Sequence, residues 1–415
     1  MAKLKILYYG DSPMAQTGMG RVTDNVLKQI YKSTKAKIEI VAINHNFPYY
    51  DRDKFPYIIY PATFNGADPL GRDMIKEFIL QGDFDILITN NDPEILYSLL
   101  PTIKKAQIEH DFKTVAYFPV DTEEQFIGDI VKELIKIYDY PIVFTEYAKQ
   151  SAIKKYGKIG EKLSVIYHGI DPEVYKIPEP LSRKKFRAEV FGLTKDDFLV
   201  TNVGRNQWRK DFYRTMLGFL MFYKEHENAV LYLHAKRKDI GGDLLAQFIS
   251  TCDQVELDAQ ELIDNGRIKF TGDSFNTFTG ISQDNLALVY GSSDVVISTN
   301  VGEGFGLPTI EAMACNVPVI LPDNTSTTEL VGANEERGYL IESGSDINLW
   351  DIDYGFSEVP RPKCDVNSIV EKLNKVYNDR EETKNKAQAG YDWIQDYTWQ
   401  NISKDFVKII KEIKI

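Results

Sequence analysis

Short apolar runs alternate with helical segments along the first part of the chain. Residues 3–9 (Lys-Leu-Lys-Ile-Leu-Tyr-Tyr) predict a strand, and a glycine-containing loop then leads into a predicted helix at about 20–32. Further apolar runs, separated by segments with helical spacing, predict strands at Ile38–Ile43, Ile86–Ile88, Thr114–Phe118 and Ile142–Phe144. Strands that alternate with helices indicate an α/β protein with a mainly parallel, doubly wound sheet.

The same alternation starts again after a connector, Val165-Ile-Tyr-His-Gly-Ile-Asp-Pro172, and a proline-rich stretch, Ile177-Pro-Glu-Pro180. The second series of predicted strands lies at Leu199–Val203, Val230–Leu233, Ile268–Phe270, Val295–Ile297 and Val317–Leu321. We therefore predict two Rossmann-like, doubly wound domains that face each other across a cleft, with boundaries at 1–168 and 169–395. Ligands in such sheets bind beyond the carboxyl ends of the strands.

Two segments do not follow this alternation. Residues 396–415 carry apolar side chains at helical spacing from Trp399 onward, which predicts an amphipathic helix that packs back on the N-terminal domain. Residues 344–364 contain Trp350, Tyr354 and two prolines and interrupt the helical pattern. We interpret them as an inserted surface loop.

Composition and charge exclude several classes of protein. The net charge of −12 argues against broad electrostatic binding of nucleic acid or anionic lipid. No run of about eighteen apolar residues occurs, and the first residues lack a signal-peptide cleavage site, so we expect a cytoplasmic protein without a transmembrane segment. The three cysteines are scattered and lack metal-ligand spacing, which predicts neither a disulfide nor a metal site.

The segment from Thr299 to Val319 is the densest group of candidate functional residues. Glycines at positions 302, 304 and 306 follow a predicted strand and precede a helix that begins near Pro308. Glycine lets the backbone approach a ligand closely, and a helix N-terminus presents N–H groups to an anion. Glu303 lies within this turn, and Glu311 follows eight residues later. A diphosphate fits the pattern.

This segment resembles the glutamate–seven–glutamate motif of retaining glycosyltransferases of family 4 (glycosyl transferases group 1), which have the GT-B fold. The resemblance implies that Glu303 hydrogen-bonds hydroxyls of the donor sugar and that Glu311 binds the ribose hydroxyls. It also implies a backbone cradle for sugar and phosphate, formed by the amides of Gly304, Phe305, Gly306 and Leu307.

The loop after the first strand of the second domain supplies candidate cations. Transfer of a sugar out of a nucleotide diphosphate builds negative charge on the leaving group, and fixed cations can stabilise that charge without a metal. In this loop Arg205 and Lys210 resemble the family's phosphate-binding Arg and Lys. Arg209 is an adjacent candidate that we rank below them.

The first domain contributes the other predicted site residues. Its first loop resembles the family's N-terminal glycine-rich loop, in which Thr17 and Gly18 would meet the donor phosphate, although Thr17 stands where a glycine is common. Asp121 lies where many family members place a His beside the donor sugar. His168, in the connector, is interpreted as a donor-side residue that lines the cleft or hinge.

Together these features predict a retaining, metal-independent transferase that uses a nucleotide sugar and no cofactor. The resemblance implies front-face attack, in which the leaving phosphate accepts the acceptor's proton. The acceptor stays open between a glycan, a lipid-linked glycan or lipid carrier, a protein side chain and a hydroxymethylated DNA base. Basic clusters such as 183–187 leave peripheral membrane contact open as well.

Two alternatives come from other functional classes. The first is a nucleotide-sugar-binding protein, or a hydrolase of the donor, without transfer to an acceptor. The second is an NAD-dependent oxidoreductase, which shares the alternation of strands and helices. The absence of a G-x-G-x-x-G fingerprint disfavours this second alternative.

Overall fold

The computed structural model describes residues 3–45, 49–62, 68–122, 129–272, 280–352 and 359–413. Its strands are β1 Lys5–Asp11, β2 Lys37–Ile43, β3 Ile58–Pro61, β4 Ile86–Asn90, β5 Lys113–Phe118, β6 Tyr140–Val143, β7 Ser164–Val165, β8 Phe198–Val203, β9 Ala229–His234, β10 Lys238–Asp239, β11 Gly242–Asp243, β12 Ile268–Phe270, β13 Val295–Ile297, β14 Val319–Pro322, β15 Tyr339–Ile341, β16 Trp350–Ile352 and β17 Pro360–Pro362. Its α-helices are α1 Gly18–Thr34, α2 Arg72–Gln81, α3 Pro93–Tyr97, α4 Leu100–Glu109, α5 Ile130–Ile137, α6 Glu146–Tyr156, α7 Pro180–Phe191, α8 Phe212–Tyr223, α9 Leu244–Gln254, α10 Ala259–Asp264, α11 Gln283–Ser292, α12 Leu307–Ala314, α13 Thr325–Val331, α14 Val366–Asn378, α15 Arg380–Ile394 and α16 Trp399–Glu412. Among the described helices, none has both the length and the apolar character needed to cross a membrane.

The first compact unit comprises the described residues of 1–169 together with those from 399 onward. Its parallel sheet has the strand order β3-β2-β1-β4-β5-β6-β7. Ile6 of β1 pairs with Ile38 on one side and with Ile86 on the other, so the strand order reverses at β1. Helices cover a parallel sheet on both faces, which is why these strands are near-continuous apolar runs.

The second compact unit comprises the described residues of 170–398. Its main sheet has the order β12-β9-β8-β13-β14-β15, and each neighbouring pair of strands is parallel. Renumbered within the unit, this is the same 3-2-1-4-5-6 order that the first sheet contains. The order reverses between β8 and β13. The prediction of two Rossmann-like, doubly wound domains is confirmed.

The structure adds short strands that the sequence pattern did not predict. The edge strand β3 and the last strand of the second sheet, β15, are four and three residues long. The interpretation of 344–364 as a loop is wrong in part, because β16 and β17 pair antiparallel within it. Prolines are tolerated there because a two-stranded hairpin leaves one side of each strand without a ladder partner. Trp350 Nε1 donates to the Gly344 carbonyl at 2.8 Å.

The last helix, α16, lies in the first unit, although it follows the whole second unit in sequence. The ring of Phe406 is 1% exposed and meets the ring of Tyr117 edge-on, with 4.8 Å between the centroids. Trp399, at the start of the helix, is also buried. The apolar face that the spacing predicted therefore packs into the core of the first unit.

Part of the basic cluster at 183–187 has a structural role. Arg187 is buried and donates to the Asp294 carboxylate at 2.9 Å and to the Ser292 carbonyl at 2.6 Å. Arg183 donates to the other oxygen of Asp294 at 3.0 Å. A buried charge is tolerated only when it is paired in this way. These two arginines fix α7 to the segment that precedes β13, and the buried Arg187 is therefore not available to a membrane or polyanion.

Candidate functional site

Two loops of the second unit meet where the strand order of its sheet reverses. The loop 204–211 follows β8, and the loop 298–306 follows β13. The Val301 amide donates to the Arg209 carbonyl at 2.9 Å, and the Thr299 hydroxyl donates to the Asp211 carbonyl at 2.8 Å. The carboxyl edge at such a reversal is where doubly wound sheets bind ligands.

The carboxylate of Glu303 lies between two cations from the first of these loops. Lys210 Nζ pairs with its Oε2 atom, and Arg209 Nη1 lies 3.9 Å from its Oε1 atom. The side chains of Lys210 and Glu303 are only 13% and 15% exposed, so water screens their charges weakly. The structure thus brings together two residues that the sequence singled out, and it adds Arg209 to them.

Arg205, by contrast, points to a different partner. Its Nε atom donates to the Asp239 carboxylate at 2.9 Å, and its side chain is 51% exposed. Burial raises the pKa of Asp239, but the hydrogen bonds from Arg205 and the Ile240 amide, together with the positive charges of Arg205 and Lys236, hold that pKa below its usual value. The assignment of Arg205 to the donor phosphate stays a prediction.

A third segment fixes the backbone around Glu303. The Glu303 amide donates to Thr325 Oγ1 at 3.0 Å, while the Ser326 hydroxyl lies 2.6 Å from the Glu303 carbonyl and 3.0 Å from the Phe305 carbonyl. Thr325 has a φ of 44°. A β-branched residue in this left-handed region costs about 1–3 kcal/mol and is typical of functional sites. These three hydrogen bonds fix the backbone on both sides of Glu303.

The glycine turn leads directly into α12, which begins one residue before the predicted start at Pro308. Gly306 caps the helix with a φ of 103°, a conformation that favours glycine. Gly304, Phe305 and Gly306 are buried, and Leu307 is half-buried. The first turn of a helix has amides without partners inside the helix, and its dipole favours an anion there. The turn is suited to a phosphate or a sugar hydroxyl.

Glu311 lies on the buried side of α12. It is 2% exposed, and the hydroxyl of the fully buried Tyr290 donates to its Oε2 atom at 2.9 Å. This bond joins α12 to α11. The role of Glu311 as a ribose ligand stays a prediction.

In the first unit, Thr17 and Gly18 form the start of α1. Thr17 is the N-cap residue, since its side chain accepts from the Gly20 amide at 2.9 Å, and its hydroxyl donates to the Asp11 carboxylate. Asn44 donates to the other oxygen of Asp11 at 3.1 Å. Burial raises the pKa of Asp11, which is 8% exposed. Sequence reasoning missed Asp11, although an acidic residue at the carboxyl end of β1 was a usable signal.

The other two predicted residues of the first unit, Asp121 and His168, differ in their burial. Asp121 is half-buried in the segment after β5. His168 is 3% exposed and lies among the rings of Tyr117, Phe144 and Trp399, with centroid distances of 5.6, 4.3 and 5.9 Å. Burial, assisted by the positive charge of Arg21, lowers the pKa of His168 from 6.5 to about 3. The donor-side role of both residues stays a prediction.

The pKa of His168 predicts a loss of stability in mild acid. Between pH 6.5 and 3 the unfolded chain binds a proton at His168 that the folded protein does not bind, so the free energy of unfolding falls as the pH falls. At pH 4.5 this loss amounts to about 2–3 kcal/mol. Urea unfolding of His168→Phe should show a fall between pH 7 and pH 4.5 that is smaller by this amount. Equal falls in variant and wild type would contradict the buried neutral imidazole.

Comparisons with known proteins bear on this arrangement. Residues 258–351, which include Glu303 and Glu311, match the family model described as glycosyl transferases group 1. An uncharacterised glycosyltransferase of Methanocaldococcus jannaschii is 23% identical over 271 residues, covering 65% of this chain and 59% of that protein. D-inositol 3-phosphate glycosyltransferase of Mycolicibacterium smegmatis is 28% identical over 219 residues, covering 53% and 45%. The chain thus spans about half the length of these relatives.

Solved structures extend the likeness over the whole chain. Anabaena HepE in complex with UDP aligns with 99% of this chain and 100% of that one, with a TM-score of 0.68 and 17% identity. The chain has the GT-B fold. At 17% identity, this structural similarity shows the fold and not the function.

Proposed function

We propose that this GT-B chain is a retaining glycosyltransferase that moves a sugar from a nucleotide diphosphate to an acceptor without a divalent metal. The observation that carries the proposal is the Lys210–Glu303 ion pair, which lies beside the glycine turn at the start of α12. A shielded carboxylate can accept hydrogen bonds from sugar hydroxyls, while the cation and the helix N-terminus attract phosphate.

The comparisons support the proposal without determining the donor. The family match covers the segment that contains both glutamates. Structures of HepE have been solved with UDP and with UDP-glucose. We therefore propose a nucleotide sugar as the donor, with Glu303 on the sugar, Glu311 on the ribose, and Lys210 and Arg205 on the diphosphate. Thr17, Gly18, Asp121 and His168 complete the proposed donor-side set from the first unit.

The proposed reaction needs no protein base. The bond between the anomeric carbon and the β-phosphate oxygen breaks, and the acceptor oxygen attacks from the same face, so the configuration is retained. The acceptor's proton moves to the departing phosphate oxygen. Positive charge at Lys210 and at the N-terminus of α12 stabilises the negative charge that develops on the nucleoside diphosphate. This positive charge takes the place that a metal ion occupies in other transferases.

A donor assay tests the activity. The purified protein is incubated with a panel of UDP-, GDP-, ADP- and dTDP-sugars, with EDTA present, and the release of nucleoside diphosphate is measured with and without candidate acceptors (glycans, a lipid-linked glycan and hydroxymethylated DNA). We expect one donor to be turned over, faster with the right acceptor. Proton NMR of the product should show retained anomeric configuration. Inverted product or a complete block by EDTA would contradict the mechanism, and donor hydrolysis with no transfer to any acceptor would favour a hydrolase.

A further inference from the structure

We propose that Arg209 is a positioning residue that holds Glu303 while Lys210 moves from Glu303 to the donor diphosphate. The inference rests on the proposed function and deepens it. In the structure, Lys210 Nζ pairs with Oε2 of Glu303, and Arg209 Nη1 lies 3.9 Å from Oε1 of the same carboxylate. The Glu303 carboxylate thus has both Lys210 and Arg209 beside it. Lys210 can therefore leave while Glu303 keeps a positive charge nearby.

Arg209 is hydrogen-bonded to the loop 298–306, which contains Glu303, through both its side chain and its backbone. Its guanidinium donates to the Gly302 carbonyl at 3.1 Å, and its own carbonyl accepts from the Val301 amide at 2.9 Å. A planar guanidinium with several fixed donors can hold a carbonyl and a carboxylate at the same time, which a lysine ammonium does not reproduce. Arg209 therefore sets the position of residues 301–303 as well as the charge beside Glu303.

The electrostatic argument starts from what a bound diphosphate would do. An incoming diphosphate attracts Lys210, but Glu303 is only 15% exposed and already holds that cation. If Lys210 were the single counter-charge, its departure would leave a shielded carboxylate next to a second anion, which is strongly unfavourable. With Arg209 beside Oε1, Glu303 stays paired and stays in place to meet the sugar.

The proposed movement of Lys210 from Glu303 to the diphosphate predicts the nucleotide affinity of two variants. Without Arg209, Glu303 should hold Lys210 more strongly, so Arg209→Gln should weaken nucleoside diphosphate binding about tenfold, as expected for a partly shielded charge pair. Glu303→Gln should release Lys210, so this variant should bind the diphosphate at least as tightly as wild type while its turnover collapses. In the Glu303→Gln background, Arg209→Gln should change the affinity less than about twofold, because the competing carboxylate is gone.

The experiment is a double-mutant cycle by isothermal titration calorimetry. UDP, GDP, ADP, CDP and dTDP are the probes, and Arg209→Gln, Arg209→Lys, Glu303→Gln and the double variant are compared with wild type. Arg267→Gln is the matched control, because Arg267 is also ion-paired, to Asp197 at 2.8 Å, and its side chain is 27% exposed, as is that of Arg209. The control should bind the probe as wild type does. Arg209→Lys should lie between wild type and Arg209→Gln.

Three outcomes overturn the inference. In the first, Arg209→Gln binds the probe as tightly as wild type. In the second, the loss is undiminished in the Glu303→Gln background, which would mean that Arg209 contacts the diphosphate itself. In the third, wild type binds none of the five probes, a result that removes the proposed function and this inference together. The first two outcomes leave the proposed function intact, so the two failures are distinguishable.

Discussion

Replacing Lys210 by Gln should reduce donor turnover by roughly 10²–10³-fold, the usual cost of removing one fixed group that stabilises developing charge. Lys210 Nζ is shielded from water and lies at the loop between β13 and α12, where the leaving diphosphate is expected. The substitution removes a charge whose benefit is greatest in the transition state, so kcat should fall more than the affinity for the donor. Initial rates of nucleoside diphosphate release, measured over a range of donor concentrations, separate the two effects.

Lys185→Gln is the matched control for this variant. Lys185 lies on α7 with a side chain that is 69% exposed, and it reaches Glu189 only at 4.0 Å. Its loss should leave turnover unchanged. Circular dichroism and thermal melting show whether each variant is folded. A folded Lys210→Gln protein whose turnover stays within threefold of wild type would contradict the assignment of Lys210 to the leaving group.

Truncating Phe406 should destabilise the first unit by about 3–5 kcal/mol, the range for removal of a fully buried phenylalanine. The side chain is 1% exposed and packs edge-on against Tyr117, whose hydroxyl donates to the Ile166 carbonyl at 2.8 Å. The substitution Phe406→Ala leaves a cavity between the last helix and β5. Since a two-domain chain need not unfold in one step, hydrogen exchange of β5 amides is the appropriate measurement.

Tyr49→Ala provides the comparison for Phe406→Ala. Tyr49 is an aromatic residue of the same unit, but it is 89% exposed. Its truncation should change the free energy of unfolding by less than about 0.5 kcal/mol. If Phe406→Ala were as mild as Tyr49→Ala, the packing of α16 into the core of the first unit would be wrong.

The long apolar strands of both sheets were predictable because burial on two faces leaves an unambiguous pattern. The runs Ile86–Ile88 and Ala229–Leu233, for example, are apolar throughout and buried. β3 and β15 were missed, and their length is not the reason, because strands as short as Ile268–Phe270 and Val295–Ile297 were predicted. The hairpin at 350–362 was missed because Trp350 and the prolines suggested a loop. Its pairing depends on contacts with Gly344 that no local pattern reveals.

The site was predictable to the level of its loops and not to the level of its contacts. The glycine turn and the two glutamates identified the loop after β13, and Lys210 was found through the resemblance of its own loop. The sequence did not show which arginine lies beside Glu303. A short 3₁₀ turn at 208–210 places Arg209 there, whereas Arg205 is hydrogen-bonded to Asp239. The burial of His168 was equally hidden, since aromatic residues from distant segments enclose it.

The central claim is that the loops after β8 and β13 bind the diphosphate of a nucleotide sugar. Isothermal titration of the wild-type protein and of Lys210→Gln with UDP, GDP, ADP, CDP and dTDP tests it most directly. The account predicts that at least one of these nucleotides binds wild type and that its binding is weakened in the variant. It would be contradicted if the folded wild-type protein bound none of them, or if Lys210→Gln bound the same nucleotide undiminished.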